Sequence, residues 1–180
     1  MHVCPSSLSF ILYNPIRKIL TDREQVMDES GINEQSAVLE IGAGNGFFTE
    51  ALARRAKKVY AVELQEGMVR KLKRRVQHFG PKIEIIQADI AQYDPGMAIA
   101  DVALLYYSFH EISNQADAAK IIGNAVRPGG ILVIYEPTIE VGKAAMEKTV
   151  RLFEAAGFER KSARHHLFTR FVKMKKGMKQ

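Results

Sequence analysis

Apolar residues gather in short runs along this chain, at Ala37–Ile41, Val59–Val62, Ile83–Ile86, Val102–Tyr107 and Ile131–Tyr135. Their length and their Val, Ile and Tyr content suit strands buried on both faces, as in a parallel sheet. The stretches between them have helical period, over roughly residues 46–56, 67–79, 115–126 and 143–156. In the second, Val69, Leu72, Val76 and Phe79 recur every three or four positions, the buried stripe of an amphipathic helix. In the last, Met146, Val150 and Phe153 share one face and Gly157 stands where the helix should end. Strand and helix in alternation predict an α/β, doubly wound sheet with helices on both faces. A further helix is expected from Pro15 to Glu29, with Gly31 just past its end. Two short segments, Glu159–Ala163 and Leu167–Met174, are candidates for a closing pair of strands.

The 180 residues suit one domain. We divide it into an N-terminal helical segment (1–30), a core (36–175) and a basic tail (176–180). No apolar run approaches the ~18 residues of a membrane span. The stretch Leu8–Tyr13 lacks the basic lead and cleavage site of a signal peptide, so it reads as structural. The single cysteine, Cys4, has no partner for an internal disulfide, which favours a reducing, cytoplasmic setting. No metal site is expected: Cys4 has no CxxC partner, the five histidines lack zinc-ligand spacing, and adjacent His165 and His166 would point to opposite faces of a strand.

A net charge of +6 raises the question of an anionic partner. The charge lies in three clusters: Arg54, Arg55, Lys57 and Lys58; Arg70, Lys71, Lys73, Arg74 and Arg75; and Lys173, Lys175, Lys176 and Lys179. The middle cluster is the wet side of the amphipathic helix above. No aromatic residues interleave with these charges as a stacking platform for nucleic acid requires. A solvated face is the favoured reading and a nucleic-acid surface the alternative.

Candidate chemistry begins where the first run meets its helix, at Glu40-Ile-Gly42-Ala43-Gly44-Asn45-Gly46. A glycine-rich turn from a buried strand into a helix brings backbone close to a ligand. It can also be a tight turn with no ligand. Glu63 ends the second run, 21 residues after Gly42, where a carboxylate can accept the two hydroxyls of a ribose. Glu40 lies two residues before the loop. A dinucleotide would bring its pyrophosphate to that carboxylate and be repelled, whereas S-adenosylmethionine (SAM) brings an ammonium and a sulfonium. Phe47 also replaces the third glycine of the dinucleotide pattern, and no GxxxxGK[ST] loop is present.

Ligands of an open α/β sheet lie beyond the carboxyl ends of its strands. After the third run, Asp89 can accept from an adenine amino group while Ile90 covers the ring; a loop-capping aspartate is the alternative. After the fourth comes Tyr106-Tyr107-Ser108-Phe109-His110-Glu111, an aromatic run able to wall a dry pocket. Dry, close positioning supplies most of the catalysis of an in-line displacement at a sulfonium carbon. His110 or Glu111 is placed to deprotonate a nucleophile, although a lone His is more often structural. Arg127-Pro-Gly-Gly130 turns the chain into the fifth run, which ends at Glu136, facing either substrate or solvent.

Taken together, VLEIGAGNGFFTEALA, VYAVELQEGM, IIQADI, ADVALLYYSFHEI, VRPGGILVIYEP and EAAGFE resemble the class I SAM-dependent methyltransferases, over nearly the whole chain. The resemblance implies a Rossmann-like seven-stranded sheet, mostly parallel with an antiparallel last strand. It implies SAM as cofactor and S-adenosylhomocysteine (SAH) as product. It places Glu40, Gly42, Ala43, Gly44, Asn45 and Gly46 near the methionine part, and Glu63, Leu64 and Gln65 at the ribose. Asp89 and Ile90 fall at adenine and Tyr106 near the methionine backbone. Tyr13, Tyr107, Phe109 and Glu136 are the expected substrate-pocket residues, with His110 and Glu111 catalytic.

The opening Asn14-Pro-Ile-Arg17-Lys18 and His110-Glu111-Ile112 are similar to a branch of small methyltransferases related to the quinone and metabolite enzymes, so a small-molecule acceptor is expected. VLEIGAGNG and FFTEALARRAKKVYAVEL also resemble ribosomal RNA adenine dimethyltransferases. Those enzymes carry an Asn-Leu-Pro-Tyr type motif after strand four and an extra RNA-binding domain. Tyr106-Tyr-Ser-Phe stands here instead. An RNA or protein substrate docked through the basic clusters, or a SAM-binding subunit without catalysis, remain as alternatives.

Overall fold

The computed structural model describes residues 22–178. In chain order the elements are α1 (Arg23–Ser30), β1 (Ala37–Ile41), α2 (Thr49–Arg55), β2 (Lys58–Glu63), α3 (Glu66–Val76), β3 (Ile83–Gln87), β4 (Ala100–Tyr106), α4 (Gln115–Ala125), β5 (Val126–Pro137), α5 (Lys143–Ala155), β6 (Phe158–His165) and β7 (Thr169–Lys176). The strands form one seven-stranded sheet in the order β3-β2-β1-β4-β5-β7-β6. Pairings from β3 through β5 are parallel, and β7 runs antiparallel to both β5 and β6. Crossovers reverse direction between β1 and β4, the place where a doubly wound sheet opens a crevice.

The central strands carry apolar residues at successive positions because each of their faces meets a different core. Leu39, Ile41, Ala103, Leu105, Leu132 and Ile134 point to the side closed by α4 and α5, where Ile122, Met146, Val150 and Phe153 pack. Their neighbours Val38, Val102, Leu104 and Val133 point to the side of α1, α2 and α3, against Met27, Leu52, Leu72 and Val76. Burying each such side chain contributes ~1.5–3 kcal/mol, before the entropy of ordering the chain. The predicted stripe of α3 is confirmed at Val69, Leu72 and Val76, all buried. Among the described residues no helix is long and apolar enough to cross a membrane.

Four boundaries differ from expectation. The helix expected from Pro15 begins at Arg23, because Asp22 is extended and caps it, its carboxylate accepting the Gln25 N–H at 3.1 Å; positions 15–21 lie outside the described residues. The α3 helix stops at Val76, three residues short of Phe79, and a 3-10 stretch carries the chain over Gly80 and Pro81 into β3. Arg127-Pro-Gly-Gly130 is an irregularity inside β5, since Ala100 pairs with Val126 while Val102 pairs with Ile131. The Asp101 carboxylate stabilises this bulge, pairing with Arg127 and accepting the Ala37 N–H at 2.7 Å. The closing strand β6 has eight residues against the five of Glu159–Ala163, and β7, also eight, begins and ends two residues later than Leu167–Met174.

Candidate active site

A cavity of about 290 Å³ opens beyond the carboxyl ends of β1, β2, β3 and β4. Its floor is the loop after β1. Gly42 and Ala43 donate their N–H groups to the Val62 carbonyl at 2.9 and 3.0 Å, tying the loop across to β2. Gly42 has φ +72°, and a Cβ there would sit 2.5 Å from the Ser108 Cβ. A side chain at this position would therefore be strained and would collide with the loop after β4. Asn45 is held by Arg75, which donates to its side-chain oxygen at 3.0 Å. Gly46, expected to touch cofactor, does not line the cavity. A Cβ there would lie 2.8 Å from the Leu72 Cδ1, so Gly46 serves the close packing of the loop on α3.

Glu63 is the hinge of the arrangement. Buried at the end of β2, its carboxylate accepts the Gly44 N–H at 2.8 Å and the Gln65 N–H at 2.8 Å. One side chain thus ties the glycine loop to the start of α3, and both oxygens retain lone pairs toward the cavity. Glu40 is buried beneath the loop, accepting the Thr49 hydroxyl at 2.6 Å. Asp89 caps its own turn, accepting from Ala91 N–H at 2.9 Å, while also lining the cavity beside buried Ile90. The capping and the lining roles coexist.

The aromatic run after β4 divides. Tyr106 is buried, with Phe48 at 4.5 Å and Tyr107 stacked at 4.4 Å between ring centroids, and both tyrosines line the cavity. Tyr107 takes a left-handed φ of +56° and its hydroxyl hydrogen-bonds Thr169 on β7. Phe109 corrects the expectation of a pocket wall. It is fully buried, 5.0 Å from the Phe153 ring, because the 3-10 turn Phe109–Glu111 directs it into the core under α5. Tyr13 lies outside the described residues.

His110 lines the cavity with both ring nitrogens engaged, Nδ1 with Glu136 at 2.5 Å and Nε2 with Glu140 at 2.8 Å. Its own N–H also donates to Glu136 at 3.1 Å. Burial opposes a charged ring, but the hydrogen bonds and charges of Glu136 and then Glu140 outweigh it and push His110 up to about 9. A protonated ring with both N–H groups donated has no lone pair for a substrate proton, so this geometry does not suit the general base expected of His110. Glu136 is 1% exposed and does not line the cavity; its partner is His110 rather than a substrate. Glu111 stands at the cavity rim. Partial burial raises its carboxyl, against the charge of His110, and the neighbouring Glu140, Glu63 and Glu136 raise it further.

Sequence reasoning missed Phe47, Phe48, Met68, Pro137 and Glu140 on the cavity wall. Glu140 had a signal, standing four residues after Glu136 just beyond a strand end; the apolar ones are indistinguishable from core in sequence.

The charged residues of the wall are Glu40, Glu63, Asp89, Glu111, Glu140 and His110, with no Lys or Arg among the described lining residues. In a chain of net charge +6, this is a local inversion. A pyrophosphate would meet a surplus of carboxylates here, with His110 the one cation among the described lining residues and already paired with two of them, whereas the sulfonium and ammonium of SAM would be attracted. The loop's exposed backbone and the Ser108 Oγ, buried without a partner among the described residues, leave polar groups for a nucleoside amino acid to meet. The donor set fits SAM.

Residues 38–130, just over half of the chain, match the family described as a methyltransferase domain. The chain belongs to that family and has the class I fold of SAM-dependent methyltransferases. It is 24% identical over 152 residues to an uncharacterized methyltransferase of a Geobacillus species, covering 84% of this chain and 67% of that one. It is 39% identical over 85 residues to a probable ribosomal RNA small subunit methyltransferase A of Methanococcoides burtonii, covering 47% of this chain and 31% of the relative. The chain therefore spans under a third of that relative's length. A SAM-dependent methyltransferase from Aquifex aeolicus superposes with a TM-score of 0.82 at 24% identity, over 96% of this chain and 98% of that one.

Proposed function

We propose that this chain transfers a methyl group from SAM to a small-molecule acceptor. The observation that carries the cofactor half is the cavity at the crevice of a class I sheet, lined by carboxylates and by no Lys or Arg among the described residues. SAM supplies a methyl carbon activated by an adjacent sulfonium. Glu63 and its neighbours Leu64 and Gln65 bind the ribose, Glu40 and residues 42–45 the methionine end, and Asp89 with Ile90 the adenine. Tyr106 shields the methionine backbone from water. Tyr107 and Ser108 bound the acceptor side, and Glu111 replaces His110 as the group positioned to take a proton.

The small acceptor is favoured by the fate of the basic clusters. Arg54 pairs with Glu50, Arg55 with Asp28, Arg70 with Glu66 and Lys58 with Glu84, while Lys173 donates to the Glu29 carbonyl. Part of each of the first two clusters is thus held in local ion pairs, and Lys173 of the third is tied to α1.

Calorimetric titration with SAM and SAH tests the cofactor half. Micromolar binding is expected, and its absence at millimolar ligand overturns the reading. Incubating cell extract with labelled SAM and this chain, then finding the label in a small molecule, tests the acceptor half. The stretch shared with a ribosomal RNA methyltransferase favours a second reading, an RNA acceptor. Label in RNA, with affinity that falls steeply with salt, would establish that reading instead.

A further inference from the structure

We propose that the acceptor is an amine, bound as its ammonium beside Glu111, and that the Glu111 carboxylate takes the proton that must leave before methylation. This deepens the reading of the cavity as a SAM-dependent site and rests on it. The acceptor side of the wall carries Glu111 and Glu140 and no Lys or Arg among the described residues. Behind them lies Glu136, which with Glu140 pairs with the His110 ring, so among the described residues three carboxylates stand against one imidazolium and their sum is negative. Carboxylate or phosphate acceptors would be repelled.

The carboxylates are not equivalent. Glu136 and Glu140 are taken up by the two ring nitrogens of His110. The Glu111 carboxylate has no hydrogen-bond partner among the described residues and stands at the rim, exposed to an incoming ligand. A second observation points to a ligand independently. Ser108, three residues earlier in the same loop, lines the cavity and is 8% exposed, with a hydroxyl that has no partner among the described residues. A buried hydroxyl is ordinarily paired, and a polar atom of a ligand would complete it.

Charge flow separates an amine from a hydroxyl acceptor. A hydroxyl gives up its proton to become an oxyanion, which this net negative cluster disfavours. An ammonium gives one proton to Glu111 and becomes neutral. Its nitrogen lone pair then forms the N–C bond as the C–S bond breaks, the electron pair leaves on sulfur, and the positive charge passes to nitrogen. SAH and an N-methylammonium are the products.

Three probes that share one ring test this on the full chain, in the presence and absence of SAH: benzylamine, benzyl alcohol and phenylacetate, each titrated by calorimetry. Benzylamine is expected to bind at least about tenfold more tightly than benzyl alcohol, with phenylacetate weakest. Glu111→Gln is expected to lower benzylamine affinity by about tenfold or more while its SAH affinity and melting temperature stay at the parent values. Equal or tighter binding of benzyl alcohol or phenylacetate overturns the proposal. So does failure of benzylamine to bind at about 10 mM, or unchanged benzylamine affinity in Glu111→Gln. Should the variant not fold, the ranking of the probes on the parent chain decides alone. Absent SAH binding with the amine preference intact brings down the cofactor reading and not the amine subsite.

Discussion

Glu63 reaches back from the end of β2 to accept the Gly44 N–H at 2.8 Å, so the residue expected to hold the ribose also shapes the loop beneath it. Removing the side chain therefore has two effects. Glu63→Ala is expected to weaken SAH binding by ~10–100-fold, the scale of one or two hydrogen bonds to a charged group. It is also expected to lower the melting temperature by about 2–6 °C through the loosened loop. Glu63→Gln keeps an acceptor for one of the two N–H groups and should fall between Glu63→Ala and the parent in both measurements. An alanine variant with parental SAH affinity would remove Glu63 from the ribose site.

Gly42 and Ser108 are coupled by contact rather than by a bond. In Gly42→Ala the new methyl meets the Ser108 Cβ, and the left-handed backbone alone costs ~1–2 kcal/mol. The variant is expected to lose several kcal/mol of stability and most SAH binding. Adding Ser108→Gly removes the collision but not the strain, so the double variant should recover about 1–3 kcal/mol relative to additivity. Urea denaturation of the four proteins measures this coupling. Strict additivity would mean that the loops do not press on each other.

The His110 clamp makes stability depend on pH in a defined direction. Its pKa is raised to about 9 in the folded chain, above the ~6.5 of an unfolded histidine, so protonation favours the fold. The contribution is complete below about pH 6.5 and is lost as pH rises through about 9. The shift corresponds to at most about 3 kcal/mol, and the part-exposed ring and Glu140 reduce this to ~1–2 kcal/mol. His110→Gln should thus be less stable than the parent at pH 6 and converge with it near pH 10 in denaturant titrations. A stability difference independent of pH would mean that the ring is neutral in the folded chain.

Much of this arrangement was legible in sequence where one physical requirement dominated. Buried parallel strands demand apolar residues on both faces, so β1 to β5 stood out, and the distance from Gly42 to Glu63 located the second carboxylate. Elsewhere several environments share one residue pattern. An aromatic after a strand serves a pocket wall or a core equally well, and only the 3-10 turn decides that Tyr107 does the first and Phe109 the second. Gly46 and Gly42 sit in the same motif, yet one answers to Leu72 on α3 and the other to Ser108 after β4, contacts between elements far apart in the chain. Glu136 reads as a ligand-edge carboxylate because its partner, His110, is 26 residues away.

Phe109 offers the sharpest separation of packing from binding in this loop. Its ring is fully buried against Phe153, so Phe109→Ala should cost about 3–5 kcal/mol through lost burial and the cavity left behind. Phe109→Leu fills more of that space and should cost less, about 1–2 kcal/mol. Because neither variant touches the cavity wall, SAH affinity of the folded protein should stay within about twofold of the parent. Calorimetry below the melting temperature, paired with thermal denaturation, distinguishes the two roles. A Leu variant of parental stability with strongly weakened ligand binding would return Phe109 to the pocket.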